Sequence, residues 1–169
     1  MSLAADLLEQ AEHLCRREAR RPKQASLRRA ISAAYYSVFH LLVASGVQQL
    51  AGHGSATSEL RRSLARAYQH SAMRDVARQF AADDPSPKVR LALTATLPID
   101  LRVVAQALLD LQEARHTADY DVGIRVRRTE VREIIDTATE AHEAWNRVKK
   151  HPDARVFLVA LLAQRHIQG

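Results

Sequence analysis

The chain has 169 residues, of which 47% are hydrophobic and 26% charged, a balance that is ordinary for one globular domain. Its single cysteine, Cys15, excludes an internal disulfide, and no Cys/His spacing is that of a zinc site, so we expect neither a metal nor a cofactor. The formal net charge is +6, carried by 21 Arg and four Lys. Such a surface suits RNA or an acidic protein, although arginine richness also follows from genome composition alone.

Apolar residues recur at helical spacing along most of the chain, which predicts an all-α antiparallel bundle of five to six helices. The first helix ends before Pro22. The second runs from about Gln24 to Leu50, with a break expected at Gly46. Its segment 30–44 is apolar on nearly every face, so we expect this helix at the centre of the bundle. The third helix spans about 60–80.

The segment 81–97 departs from the helical pattern. Two prolines interrupt it at 85 and 87, and residues 89–97 then alternate with a period of two, as a strand does. Because no second strand is evident to pair with it, we expect an extended arm that lies on the bundle.

Three more helices follow, beginning near 98, 131 and 153. The last, 153–166, carries the longest apolar run, 156–163, which the bundle or a second subunit must cover. That run is far shorter than the ~20 residues of a membrane span, and no leader segment is evident. We therefore expect one domain over 1–169, in the cytoplasm and away from the membrane.

Polar residues interrupt two otherwise apolar helix faces. Tyr36 and His40 lie one turn apart on the second helix. Arg115 lies on the same face of the fourth helix as the apolar residues of that helix. Because an unpaired buried charge is costly, Arg115 either pairs with Asp119, one turn further on, or points into a functional site. His40 is likewise either a core histidine with a hydrogen-bond partner or part of that site. Tyr120 either belongs to the site or fastens the fourth helix to its neighbour.

The third helix carries basic residues at strict i,i+4 intervals. On one continuous helix they form a ladder about 24 Å long. Like charges at this spacing repel by about 0.2–0.5 kcal/mol per pair, so the ladder either faces RNA phosphates or an acidic partner, or is a solvated face with counterions. The ladder consists of Arg62, Arg66, His70, Arg74 and Arg78.

Two short motifs together resemble the HEPN superfamily, in its branch of small bacterial and archaeal proteins. They are Ala-Tyr-Tyr-x-x-Phe-His at 34–40 and, about 80 residues later, Arg-x-x-Ala-Asp-Tyr at 115–120. The resemblance covers roughly residues 1–150. It implies a helical bundle that forms a homodimer. Members are metal-independent endoribonucleases, toxins paired with a small nucleotidyltransferase, or inactive modules that bind RNA or a partner.

The nuclease motif of active members is an arginine followed, after four to six residues, by a histidine. Here Arg115 takes the arginine position, but Tyr120 stands five places later, and no histidine has an arginine five to seven positions upstream. A tyrosine with a pKa near 10 is a poor base at neutral pH. The resemblance therefore favours a binding module for RNA, a nucleotide or a nucleotidyltransferase, with a nuclease as the alternative. Its catalytic candidates are Arg115, Tyr120 and His40, with Tyr36, His116, Asp119 and the ladder as binding candidates.

Overall fold

The computed structural model describes residues 2–52, 54, 57–94 and 96–167, with side chains through 163, and this part of the chain is all-helical without a strand. The all-α prediction is therefore confirmed. The helices are α1 (Leu3–Arg16), α2 (Gln24–Ala51), α3 (Ser58–Ala67), α4 (His70–Ala81), α5 (Pro87–Arg90), α6 (Ile99–Tyr120), α7 (Arg128–Val148) and α8 (Pro152–Ile167).

Helix α2 is continuous through Gly46, so the expected break at that residue is wrong. A Cβ atom at Gly46 would lie 1.9 Å from the hydroxyl oxygen of Tyr68. Glycine therefore stands here to let the tyrosine ring approach the helix backbone, and not to end the helix. By length and composition α2 could cross a membrane, but 72% of its most apolar 18-residue window is buried inside the protein, and core helices of soluble proteins pass the same test.

The predicted third helix is divided in two. Tyr68 and Gln69 adopt extended backbone angles, with ψ of 120° and 134°, between α3 and α4. Tyr68 is buried there, and its hydroxyl donates to the carbonyl oxygen of Leu158 at 3.3 Å. The continuous basic ladder is therefore wrong. Arg62 and Arg66 lie on α3, while His70, Arg74 and Arg78 lie on α4.

The extended arm expected at 89–97 is wrong over 89–93, and residue 95 lies outside the described residues. Pro87 occupies the first turn of the short helix α5, where its missing N–H costs nothing, and residues 91–93 continue in turns. Hydrogen bonds fix the segment at Thr94. Its N–H and its hydroxyl donate to the two carboxylate oxygens of Asp153, which is fully buried, at 2.9 and 2.5 Å.

Packing divides the chain into two compact units. The first unit comprises residues 1–41 and 107–143, and the second unit comprises 42–106 and 144–169. In the first, α1, α2, α6 and α7 bury mainly small and aliphatic residues together with Tyr35. In the second, Phe80 of α4 packs on Phe157 of α8 with ring centroids 4.7 Å apart, and the buried Trp145 donates to Ser45. The apolar run of the last helix thus contributes to the core of the second unit.

Candidate functional site

Arg115 forms an ion pair one helical turn along α6. Its Nε lies 3.0 Å from Oδ2 of Asp119, and the two side chains are 19% and 24% exposed. The other oxygen, Oδ1, accepts a hydrogen bond from the hydroxyl of the buried Ser32 on α2 at 2.7 Å. Of the two alternatives for Arg115, the structure contains the ion pair, and the carboxylate is fixed from both helices.

The guanidinium of Arg115 also lies against two aromatic rings of α2. Its Cζ is 5.6 Å from the ring centroid of Tyr35 and 5.5 Å from that of Tyr36. Both distances fall within the range of a cation–π contact. Burial raises the pKa of Tyr35 well above its usual value, and the nearby Arg115 offsets only part of this, so the phenol stays protonated at neutral pH.

His40 continues this arrangement along α2. Its ring centroid is 6.2 Å from that of Tyr36 and 5.3 Å from that of Phe39. Half-burial lowers the pKa of His40 below its usual 6.5, since desolvation penalises the charged form. The imidazole is therefore neutral at pH 7 and can accept a proton, but it does not attract an anion by charge.

Two residues of the site, Arg28 and Ser32, were not predicted from the sequence. Arg28 donates through Nη1 to the carbonyl oxygens of Ala118 and Asp121, at 2.7 and 2.9 Å, and through Nη2 to that of Ile124 at 2.5 Å. It thereby satisfies carbonyl groups at the C-terminal end of α6, where helices lack partners. The signal was available in the sequence, because Arg28, Ser32, Tyr36 and His40 recur at i,i+4 on one face of α2.

We call the resulting surface the polar seam. It lies within the first unit and joins four residues of α2 to two of α6. Of the candidates predicted from sequence, it unites Tyr36, His40, Arg115 and Asp119. Its members are Arg28, Ser32, Tyr36, His40, Arg115 and Asp119.

The remaining candidates are His116 and Tyr120 at the end of α6 and the residues of the former ladder. His116 and Tyr120 pack on each other with ring centroids 4.9 Å apart, and Tyr120 is 66% exposed. The former ladder belongs to the second unit, where Arg62 pairs with Glu59 at 2.9 Å and Arg78 approaches Asp75 at 3.6 Å. Part of its charge is thus balanced within its own helices.

Comparisons with protein-family models, with curated proteins and with solved structures find no match for this chain. Function must be inferred from the chemistry of the polar seam. Within the described residues, no group of three His, Cys, Asp or Glu side chains could hold a metal ion.

The polar seam combines a permanent cation, a phenol and a neutral imidazole. An arginine has five N–H donors, and the Asp119 contact engages Nε, so the terminal Nη groups remain suited to a phosphate oxygen. Of the two rings beside the guanidinium, Tyr35 is buried, and only the partly exposed Tyr36 offers a surface on which an unpaired base can stack. Because Asp119 compensates the charge of Arg115, the arrangement supplies hydrogen-bond donors and a ring surface rather than a strong positive potential. Donors and a ring surface are what binding a nucleotide or a single strand uses, whereas stabilising a charged transition state depends more on that potential.

Proposed function

We propose that this chain is a HEPN-like helical module that forms a homodimer and binds single-stranded RNA without cleaving it. The observation that carries the proposal is the contact of Arg115 with the partly exposed ring of Tyr36, which lies one turn from the partly exposed His40. Stacking of bases on aromatic rings and phosphate contacts to arginine are the two components of such binding.

The absence of the arginine-to-histidine spacing argues against a standard nuclease. Arg115 forms an ion pair with Asp119, and the residue at the histidine position, Tyr120, packs on His116. One observation favours the alternative of a metal-independent endoribonuclease of the toxin type. A half-buried His40 that is neutral at pH 7 has the protonation state of a general base.

The two functions separate in one experiment. A fluorescent 20-nucleotide RNA is titrated with the protein in EDTA between 50 and 200 mM salt, and its integrity is followed on a gel. We expect binding that weakens with salt and an intact RNA. Arg115→Gln should weaken the affinity and reduce the slope of log K against log[salt] by about 0.7, as one lost phosphate contact to a single strand predicts.

Arg132→Gln, at an exposed position of α7 outside the polar seam, is the matched control and should bind as the wild type does. Thermal unfolding of each variant checks that it is folded. A flat salt dependence for the wild type would exclude phosphate binding. Cleavage in EDTA that is lost in His40→Gln would establish the nuclease instead.

A nucleotidyltransferase partner, as in a toxin–antitoxin pair, is the other binding role that we propose. The basic residues of α3 and α4 support it, but the Glu59 and Asp75 contacts make that face weaker evidence than the polar seam. A nucleotidyltransferase gene next to this one, and co-purification of the two products, would support this role. A lone gene would count against it.

A further inference from the structure

The second unit contains a cleft of about 900 Å³ beside the start of α8. Its floor is apolar and comes from two helices and the turn after α5, through Val89, Ala92, Val156, Val159 and Ala160. A cavity of roughly 300–1,000 Å³ with a mostly apolar lining is typical of a small-molecule site. The cleft lies outside the polar seam and has no part in the RNA proposal.

The rim of the cleft is basic. Lys88, Lys149, Lys150 and Arg155 line it together with His151, and none of the described lining residues is acidic. The nearest carboxylate in sequence, Asp153, is fully buried and accepts two hydrogen bonds from Thr94, and its Oδ2 lies 3.8 Å from Nδ1 of His151, so among the rim residues it faces the histidine. Four cations around an apolar floor favour an occupant that is anionic at one end and apolar at the other.

Polarity is graded along α8. The cations at 149, 150 and 155 occupy the turn before the helix and its first turn, whereas Val159 and Ala160 lie one turn further on. An anionic group would therefore sit at the beginning of α8 and an apolar body along the helix. The helix N-terminus itself is not the anion site. Pro152 has no N–H, and the N–H groups of Asp153 and Ala154 already donate to His151.

We propose that this cleft binds one soluble amphiphilic anion, an alkyl or aryl group that ends in a phosphate or a carboxylate. The side chains of Lys149, Lys150 and Arg155 hold the head group, and the valines bury the body. The volume of about 900 Å³ is within the range of small-molecule sites, whereas a helical peptide would need an elongated groove with anchors on several turns.

The probe is n-decyl phosphate, used below its micellar concentration and followed by calorimetry and thermal unfolding. We expect one molecule bound per chain and a raised midpoint of unfolding. Inorganic phosphate should bind at least about a hundredfold more weakly, because it lacks the methylene groups that the floor would bury. 1-Decanol should bind at least about tenfold more weakly, because it lacks the charged head.

Two variants assign the binding to the cleft. Lys150→Gln/Arg155→Gln changes two exposed side chains and should weaken decyl phosphate at least about tenfold with little effect on folding. Val159→Asp places a carboxylate on the floor of the cleft and should also weaken the binding of decyl phosphate at least about tenfold. Arg132→Gln, in the first unit, is the control for unspecific loss of charge and should bind normally.

Several results would overturn the proposal. Equal affinity in the wild type and in the double variant would show that the rim does not hold the head group. Equal binding of decanol and decyl phosphate would show the same. Sedimentation with phosphatidate vesicles, or binding of an acidic amphipathic peptide, without binding of monomeric decyl phosphate would assign the cleft to a membrane or to a protein instead.

Discussion

Gly46 lies in the interior of α2, where a glycine normally weakens a helix by about 1 kcal/mol relative to alanine. Here the missing side chain makes room for Tyr68. A Cβ atom would lie 1.9 Å from the hydroxyl oxygen and 2.9 Å from Cζ of that ring. The ring cannot easily move, because it is buried and its hydroxyl is bonded to Leu158. Burial also raises the pKa of Tyr68 to about 12, so the hydroxyl keeps its proton.

Gly46→Ala should therefore destabilise the protein, although alanine has a higher helix propensity than glycine. We expect the free energy of unfolding to fall by about 1–3 kcal/mol, the usual cost of overpacking, as measured by urea denaturation. Gly54→Ala, where a Cβ meets nothing within 4 Å, is the control and should change it by less than about 1 kcal/mol. Gly46→Ala/Tyr68→Phe should recover part of the loss. A Gly46→Ala protein more stable than the wild type would contradict the close approach.

The stability of the protein should fall in mildly acidic solution because of two half-buried histidines. Burial lowers the pKa of His142, and a hydrogen bond with Ser37 at 3.3 Å offsets only part of this, while burial alone lowers that of His40. A lowered pKa in the folded state means that the unfolded chain binds more protons below pH ~6.5. The free energy of unfolding should thus decrease as the pH falls through 6.5 and level off below the folded pKa values.

Urea denaturation between pH 7.5 and 5 measures this dependence. His142→Gln, which retains a hydrogen-bonding group near Ser37 but cannot be protonated, should show a smaller decrease over the same interval. The same pH dependence in the variant and the wild type would exclude His142 as a contributor.

At the scale of elements, a buried carboxylate of α8 fixes the chain between α5 and α6 at Thr94. Asp153 accepts both the N–H and the hydroxyl of Thr94, and as an acid in the first turn of α8 it also suits the helix dipole. Asp153→Ala removes both acceptors and leaves a buried void. Hydrogen bonds to a charged group contribute about 1.5–3 kcal/mol each, and removing a buried carboxylate also removes the cost of its burial, so we expect the free energy of unfolding to fall by roughly 2–4 kcal/mol.

Hydrogen exchange in the same variant should accelerate at the amides of 91–94. Thr94→Val, which deletes only the hydroxyl, should have a smaller effect on stability. Asp136→Ala, at an exposed position of α7, should stay within about 0.5 kcal/mol of the wild type. If Asp153→Ala were no more destabilising than Asp136→Ala, this attachment would not stabilise the fold.

The sequence pattern was sufficient where a helix is long and either buries one face, as α1 and α7 do, or is apolar nearly all round, as the centre of α2 is. It failed where a contact distant in sequence decides the local backbone. Tyr68 leaves the helical conformation because its hydroxyl reaches Leu158, 90 residues away, and Gly46 stays helical because of the same ring. Residues 89–97 alternate like a strand, but Pro87 starts a helical turn and Thr94 is held by Asp153. The spacing of residues along the chain predicts neither the contact of Tyr68 nor that of Thr94.

The polar seam was likewise predicted only in part from the sequence. Spacing within one helix predicted that Tyr36 and His40 share a face of α2. It also predicted that Arg115 could form an ion pair with Asp119. That Arg115 lies over two rings of α2 depends on the packing of α2 against α6, which no i,i+4 rule describes. Arg28 and Ser32 were overlooked although they extend the same i,i+4 stripe, because a polar residue near the start of a helix is usually solvated.

At the scale of the molecule, the end of α6 and the turn after it expose apolar side chains. Tyr120 is 66% exposed, Val122 90% and Ile124 43%. Arg28 binds the carbonyl oxygens of Asp121 and Ile124, so this turn is fixed in place rather than loose. A fixed, exposed apolar patch next to a polar site is a common feature of surfaces that another protein covers. We expect a second copy of this chain to cover it.

Sedimentation velocity over a range of concentrations tests the homodimer. The wild type should sediment as a dimer, and Val122→Asp should shift it towards monomer, because a carboxylate in the centre of the interface would be buried without a partner. Leu91→Asp is the matched control, since Leu91 is also 90% exposed but lies after α5 in the second unit. It should leave the dimer intact. A wild type that stays monomeric at several hundred micromolar would refute the homodimer, and equal effects of the two variants would place the interface elsewhere.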